Sequence, residues 1–220
     1  MNPPQFFSVT PVWNNEETIF ECLTALDEFV DVLIVCEGMW IGYDGEVRST
    51  DNTINEIVPF IKTAKHEVIF MMLPEPKHQY EVRNAMINAV PTDSWFIVMD
   101  SDEICSVHPT QDKIKELFNN NSLDAKASNL KGYCIRTYDE VQGDIVTGHL
   151  MDMPKIWRKV NGLQYTKNHR YMEVNGVPVI YNTKDFPATD FCFRHQGNYK
   201  KTRQQAEAYK NWLVNWEPFP

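Results

Sequence analysis

Short apolar runs alternate with polar turns and with apolar residues at helical spacing through the first half of the chain. Phe6-Phe7-Ser8-Val9-Thr10-Pro11-Val12 reads as a first strand, with Pro11 near its end. Asn14 followed by Glu17 matches a capping box and predicts a helix that carries Ile19, Cys22, Leu23, Leu26 and Phe29. Val32-Leu33-Ile34-Val35-Cys36 is a second strand ending at Glu37-Gly38, and a loop over residues 39–50 holds Trp40 and Tyr43. Asp51 leads into a helix with Ile54, Ile57, Val58 and Ile61, and Val68-Ile69-Phe70-Met71-Met72 is a third strand. Pro74 and Pro76 break the chain before a helix over residues 80–90, with Arg83 and Asn84 near its start. Trp95-Phe96-Ile97-Val98-Met99 is the fourth strand and runs directly into Asp100-Ser101-Asp102-Glu103.

Unbroken apolar runs of this length belong to strands buried on both faces. Strands alternating with helices predict a parallel sheet built by right-handed crossovers. Neither a Gly-x-Gly-x-x-Gly nor a P-loop lysine motif occurs, so dinucleotide binding and P-loop hydrolysis lack support.

The second half has a different pattern. A helix is expected over residues 110–118, then strands over 132–138, 154–159, 177–181 and 191–194, the last ending at His195. Residues 202–216 read as an amphipathic helix. No linker divides the 220 residues, which suits one α/β domain: residues 1–105 form its first half, and residues 106–220 extend the same sheet and shape an acceptor pocket.

Charge and cysteine content narrow the possible partners. A net charge of −9 argues against a general nucleic-acid or anionic-membrane surface, but permits one phosphorylated small molecule received by a metal and a few local cations. The five cysteines, an odd number without a Cys-x-x-Cys pair, read as reduced thiols in a cytoplasmic compartment. Met1-Asn2-Pro3-Pro4 does not open a signal peptide, and no apolar run approaches the ~18 residues of a membrane span.

Candidate chemistry gathers beyond the fourth strand. In α/β sheets, ligands bind outside the carboxyl ends of the strands. Asp100 and Asp102, one residue apart, repel each other unless a cation sits between them, and Mg2+ or Mn2+ suits an oxygen site shared with a substrate phosphate. The alternative is a solvated acidic turn. His195, at a strand end before Gly197, is a candidate third metal ligand, or else a structural histidine. Lys200, Lys201 and Arg203 are candidates to neutralise a diphosphate, since basic residues at a helix start oppose the helix dipole. Arg83 either reaches a phosphate or makes a structural ion pair with Glu81 or a carboxylate of the Asp cluster. Glu37 either accepts hydrogen bonds from a nucleobase or ribose or serves its own loop, and Glu16 is a first-turn helix carboxylate or a ligand contact. Trp13, Trp40 and Tyr43 offer stacking faces or rim packing.

Several of these segments together resemble family 2 glycosyltransferases of the GT-A fold. They are Thr10-Pro11-Val12-Trp13-Asn14-Asn15-Glu16, Cys36-Glu37-Gly38, Ser49-Thr50-Asp51-Asn52-Thr53, Arg83-Asn84-Ala85 and Asp100-Ser101-Asp102, in that order. The resemblance covers residues 6–105 and continues more weakly through Pro154-Lys155-Ile156-Trp157-Arg158-Lys159 and His195. Trp13 stands where the family carries tyrosine, Cys36-Glu37 where it carries two acidic residues, and residues 39–48 interrupt a normally continuous turn. Residues 31–37 with this longer loop also resemble the glycosyltransferases that add bisecting N-acetylglucosamine.

The resemblance implies a GT-A nucleotide-diphospho-sugar transferase fold: a central, mostly parallel mixed sheet flanked by helices, residues 1–105 holding the donor. It implies metal-dependent, inverting transfer of a sugar from a nucleotide-diphosphate sugar to a hydroxyl of a glycan, lipid-linked or protein acceptor. Mn2+ or Mg2+ would sit on Asp102, His195 and, less directly, Asp100. Pro11, Trp13, Glu16, Glu37, Arg83, Asp100, Lys200 and Lys201 would contact the donor. The acceptor base would be Glu173, with Asp152 next and Glu140 and His169 as further options. Two other activities fit the residues. A strand followed by Asp-x-Asp also opens haloacid-dehalogenase-like phosphatases, where Asp100 would be the nucleophile and a phospho-aspartate trappable. A non-catalytic sugar-nucleotide-binding module would bind without transfer.

Overall fold

The computed structural model describes residues 5–110, 112–114, 116, 133–134, 136–141, 144–150, 155–166, 172–179, 184–185 and 192–195. The first half alternates strand and helix as expected: β1 (Phe6–Val12), α1 (Ile19–Leu26), β2 (Val32–Glu37), α2 (Thr53–Thr63), β3 (Glu67–Met72), α3 (Gln79–Ala89) and β4 (Trp95–Val98). β1 pairs in parallel with β2 on one side and β4 on the other, and β3 adds in parallel to β2. Then follow β5 (Glu103–Val107), β6 (Tyr133–Cys134), β7 (Arg136–Val141), β8 (Asp144–Leu150), β9 (Ile156–Arg158), β10 (Leu163–Tyr165), β11 (Met172–Val174), β12 (Val177–Pro178), β13 (Lys184–Asp185) and β14 (Cys192–His195).

The second half only partly extends the first sheet. β9 joins β4 antiparallel, and β6 and β13 continue outward, giving the order β13-β6-β9-β4-β1-β2-β3. β10-β11-β12 form a separate antiparallel sheet, and β5-β14-β7-β8 a third. The expectation of one continuous sheet is therefore corrected. β5 leaves the turn after β4 and takes β14 as its partner instead of continuing the first sheet.

Strand alternation divides the core. Phe6, Leu33, Val35, Trp95 and Ile97 face α1 and α2, whereas Phe7, Val9, Ile34, Phe96 and Val98 face α3, Trp157 and the β10–β11 hairpin. Both sets are buried, which explains why these strands read as unbroken apolar runs. Where the chain leaves β2, Gly38 has φ 150°, and a Cβ there would lie 2.6 Å from Leu73 Cβ, so no side chain fits.

The capping box expected at Asn14 and Glu17 does not form. α1 starts later, after Thr18, and Asn14 sits in the left-handed region at φ 46°. Its side chain is engaged elsewhere, accepting from Thr50 N at 2.8 Å. His78 caps α3 instead, in a box with Glu81. The helix expected over residues 110–118 is described only at 112–114 and 116, and that over 202–216 lies outside the described residues. No helix among the described residues is long and apolar enough to cross a membrane.

Candidate functional site

β1, β2 and β4 end side by side, and the loops leaving them interlock. Asn14 N donates to Ser49 Oγ at 2.9 Å, Asn15 N to Thr53 Oγ1 at 2.7 Å, and Asn52 N to Glu16 Oε2 at 2.6 Å. These bonds physically join the Trp13-Asn14-Asn15-Glu16 segment to the Ser49–Thr53 turn. Asn15 also reaches across β1: its Nδ2 donates to Ser101 Oγ at 2.7 Å, and Thr18 Oγ1 lies 2.8 Å from the Ser101 carbonyl. Thus the Asp100-Ser101-Asp102 turn is held from the loop after β1, with Ser101 buried and the flanking aspartates half-exposed.

The two aspartates occupy different electrostatic settings. Arg83 Nη2 donates to Asp100 Oδ1 at 2.5 Å, and Lys155 Nζ stands 3.8 Å from Asp100 Oδ2. Arg83 and Lys155 are both buried. Lys155 also binds both Glu103 oxygens, at 2.8 and 2.7 Å, and Glu103 is 0% exposed. Glu103 Oε2 accepts in turn from Asp100 N at 2.9 Å. Burial opposes charge on Lys155, but Glu103 and Asp100 outweigh it and hold the ammonium above its ordinary range. Burial, then Glu103, Asp102 and Asp100, push the Cys22 thiol well up. Asp102 Oδ2 lies 3.6 Å from His195 Nε2.

Arg83 is supported from behind. Its guanidinium carbon lies 5.5 Å from the centroid of the Tyr165 ring. Asn84 fixes that tyrosine through two backbone bonds: Tyr165 N donates to Asn84 Oδ1 at 2.6 Å, and Asn84 Nδ2 to Tyr165 O at 3.0 Å. The Arg-Asn pair of α3 thus works as a unit, one residue on Asp100 and the other on β10. Of the two roles open to Arg83, the structure displays the ion pair, and with Asp100 instead of Glu81.

At the β2 end, Glu37 is fully buried and occupied. Its Oε1 accepts from Ser49 N at 2.6 Å and its Oε2 from Arg48 Nη1 at 3.2 Å. Of the two roles open to Glu37, the structure displays the loop contact, with the backbone returning over the carboxylate. Glu16 is exposed but likewise holds Asn52 N. Pro11 is buried in β1 opposite Cys36. Trp13, Tyr43 and Trp40 form one aromatic group, with ring centroids 5.5 and 5.8 Å apart and near-perpendicular planes. Trp13 Nε1 donates to Glu46 O at 3.2 Å, which ties the group to the interrupting loop.

The expected acceptor base is not brought to this cluster. Glu173 lies on β11 between the buried Met172 and Val174, so strand alternation turns it to the opposite face. There it accepts from Gln164 Nε2 at 2.6 Å. Asp152, His169, Lys200, Lys201 and Arg203 lie outside the described residues, and Glu140 is described only as backbone within β7. Glu103 and Lys155 were missed as site residues. The available signal was a glutamate directly after the Asp-x-Asp and a lone lysine in Met153-Pro154-Lys155-Ile156-Trp157.

No protein-family profile matches the chain, and no curated protein matches it. Solved structures do. The structure of S. aureus TarS 1–349 in complex with UDP-GlcNAc is 14% identical, with a TM-score of 0.53 over 96% of this chain and 65% of that one. A second S. aureus TarS structure is 14% identical, with a TM-score of 0.51 over 98% of this chain and 40% of that one. The chain therefore spans less than two thirds of the length of these structures. The likeness and the mostly parallel central sheet establish a GT-A-type nucleotide-diphospho-sugar transferase fold.

Proposed function

We propose that this chain is a glycosyltransferase domain that uses a nucleotide-diphosphate sugar and Mn2+ or Mg2+. One observation carries the proposal: the Asp100-Ser101-Asp102 turn lies at the carboxyl end of β4, beside β1, with Arg83 at Asp100 and His195 at Asp102. Fold alone does not assign activity. The site adds an acidic group poised for a cation and buried cations beside it.

The residues fit a divalent ion. Asp102 Oδ2 and His195 Nε2 are 3.6 Å apart, within the span of two ligands that each lie about 2.1 Å from one metal. Among the described residues no cluster of three ligating side chains occurs. Such a site suits an ion that takes only one or two protein ligands and completes its shell with substrate phosphates and water. The bound cation would stabilise the leaving diphosphate. Asp100, already paired with Arg83, serves as a fixed acceptor for a donor hydroxyl or a metal-bound water. Trp13 and Tyr43 offer aromatic faces near the β1–β2 end for the nucleoside. Lys200 and Lys201 are assigned to the diphosphate, and Asp152 to deprotonation of the acceptor in an inverting transfer. TarS, whose structure contains UDP-GlcNAc, suggests a uridine donor, and the acceptor is a glycan, lipid-linked or protein hydroxyl. Under this proposal residues 1–220 are one catalytic domain.

A thermal-shift panel with UDP, GDP, TDP and CDP, each with Mn2+, Mg2+ or EDTA, tests it, since tight binding raises the melting temperature by mass action. A shift for one diphosphate that EDTA removes is the expected result. No shift with any of them would overturn it.

A further inference from the structure

We propose that the buried Glu103–Lys155 pair is the positioning device for Asp100. The inference rests on the donor-site proposal above for what Asp100 does, but not for how it is held.

Glu103 binds the backbone of Asp100 through Asp100 N, while its partner Lys155 faces the Asp100 side chain at 3.8 Å. One ion pair therefore sets both the main-chain and the carboxylate position of the same residue. Arg83, backed by Tyr165, completes the clamp from the opposite oxygen. The backbone keeps the lysine, one residue before β9, in register, because Val98 N donates to Lys155 O at 2.9 Å just before the turn.

A buried ion pair is by itself weak evidence of a stabilising role. Taking two ions out of water is costly, and an apolar pair of similar volume often stabilises a fold equally well or better. What an apolar pair cannot do is accept the Asp100 N–H and present a positive charge to its carboxylate.

The double variant Glu103→Gln/Lys155→Met removes both buried charges together and keeps the side-chain volumes. Circular dichroism and urea unfolding establish that it folds. With Mn2+ present, its dissociation constant for the nucleoside diphosphate that the wild-type chain binds best should rise at least tenfold. Asp27→Asn, which weakens a buried acceptor of the Lys65 and His66 amides, is the control for general destabilisation and should bind like wild type. Wild-type affinity in the folded double variant would overturn the inference and leave the donor-site proposal standing. If the wild-type chain binds no nucleoside diphosphate, the donor-site proposal fails, and crystal structures of wild type and variant decide the positioning role. Displacement of the Asp100 carboxylate from Arg83 in the variant supports it, and an unmoved carboxylate refutes it. Should the double variant not fold, Lys155→Arg, which keeps the charge but moves it, takes its place. A tenfold loss of affinity is again expected, and wild-type affinity again overturns the inference.

Discussion

His195 Nε2 lies 3.6 Å from Asp102 Oδ2, although 93 positions separate the two residues in the chain. The pairing of β14 with β5 creates this proximity by placing His195 opposite Glu103, one residue beyond Asp102. Asp102 thus gains an imidazole nitrogen beside its carboxylate.

If Asp102 holds the proposed cation, its removal should separate metal dependence from folding. Asp102→Ala is expected to abolish EDTA-sensitive nucleotide binding. Because Asp102 is partly exposed, the unliganded stability should change by only about 0.5 kcal/mol. Calorimetric titration of nucleotide with and without Mn2+ reads the first effect and urea unfolding the second. Unchanged metal-dependent affinity would refute the assignment of Asp102.

Asn84 offers a test of the support behind Arg83. Asn84→Ala loses two hydrogen bonds to the Tyr165 backbone, and at roughly 1 kcal/mol each the expected destabilisation is about 2 kcal/mol. Urea midpoints at constant m-value measure it. A loss below about 0.5 kcal/mol would mean that β10 docks on α3 by apolar packing alone.

Glu37 is expected to act on its loop. Glu37→Ala frees Ser49 N and Arg48 together, and an abandoned buried donor costs on the order of 1–3 kcal/mol. Limited proteolysis should then cut within residues 39–50 well before the rest of the chain. An unchanged cleavage pattern would show that the Trp13–Tyr43–Trp40 group holds the loop without the carboxylate.

Burial pushes the Cys36 thiol up to about 12 from an ordinary 9.0, with the Glu37 charge adding to the shift and Arg48 opposing it. Between these two values the unfolded chain loses a proton that the native state keeps. The associated stability is complete below about pH 9 and falls as pH rises toward about 12, by at most about 1.4 kcal/mol per pH unit. Cys36→Ala removes this titration, so its urea midpoint should decline less steeply across that window, whatever its stability at neutral pH. Parallel declines in the two proteins would contradict the shift.

The apolar runs by themselves predicted β1 to β4 and a parallel sheet: β1, β2 and β4 are buried throughout, whereas β3, at the sheet edge, is half-exposed. They also placed Asp100 and Asp102 at a strand's carboxyl end, where α/β sheets bind ligands. Local pattern was a weaker guide where a side chain had two possible partners. Asn14 and Glu17 carry the spacing of a capping box, but Asn14 is engaged by Ser49 and Thr50, residues no local window includes. Glu37 ends its strand as expected, yet whether its carboxylate meets solvent depends on a loop that folds back 12 residues later.

Only the tertiary structure decided the division of the acidic cluster. The sequence displays three carboxylates within four positions and does not indicate which one is buried. Arg83 comes from α3, Lys155 from the residue before β9 and His195 from β14, and each reaches the cluster only after sheet pairing brings these elements together. Because Coulomb energies fall with distance and rise in low dielectric, three-dimensional placement alone makes Asp100 a neutralised, fixed group and leaves Asp102 facing a histidine.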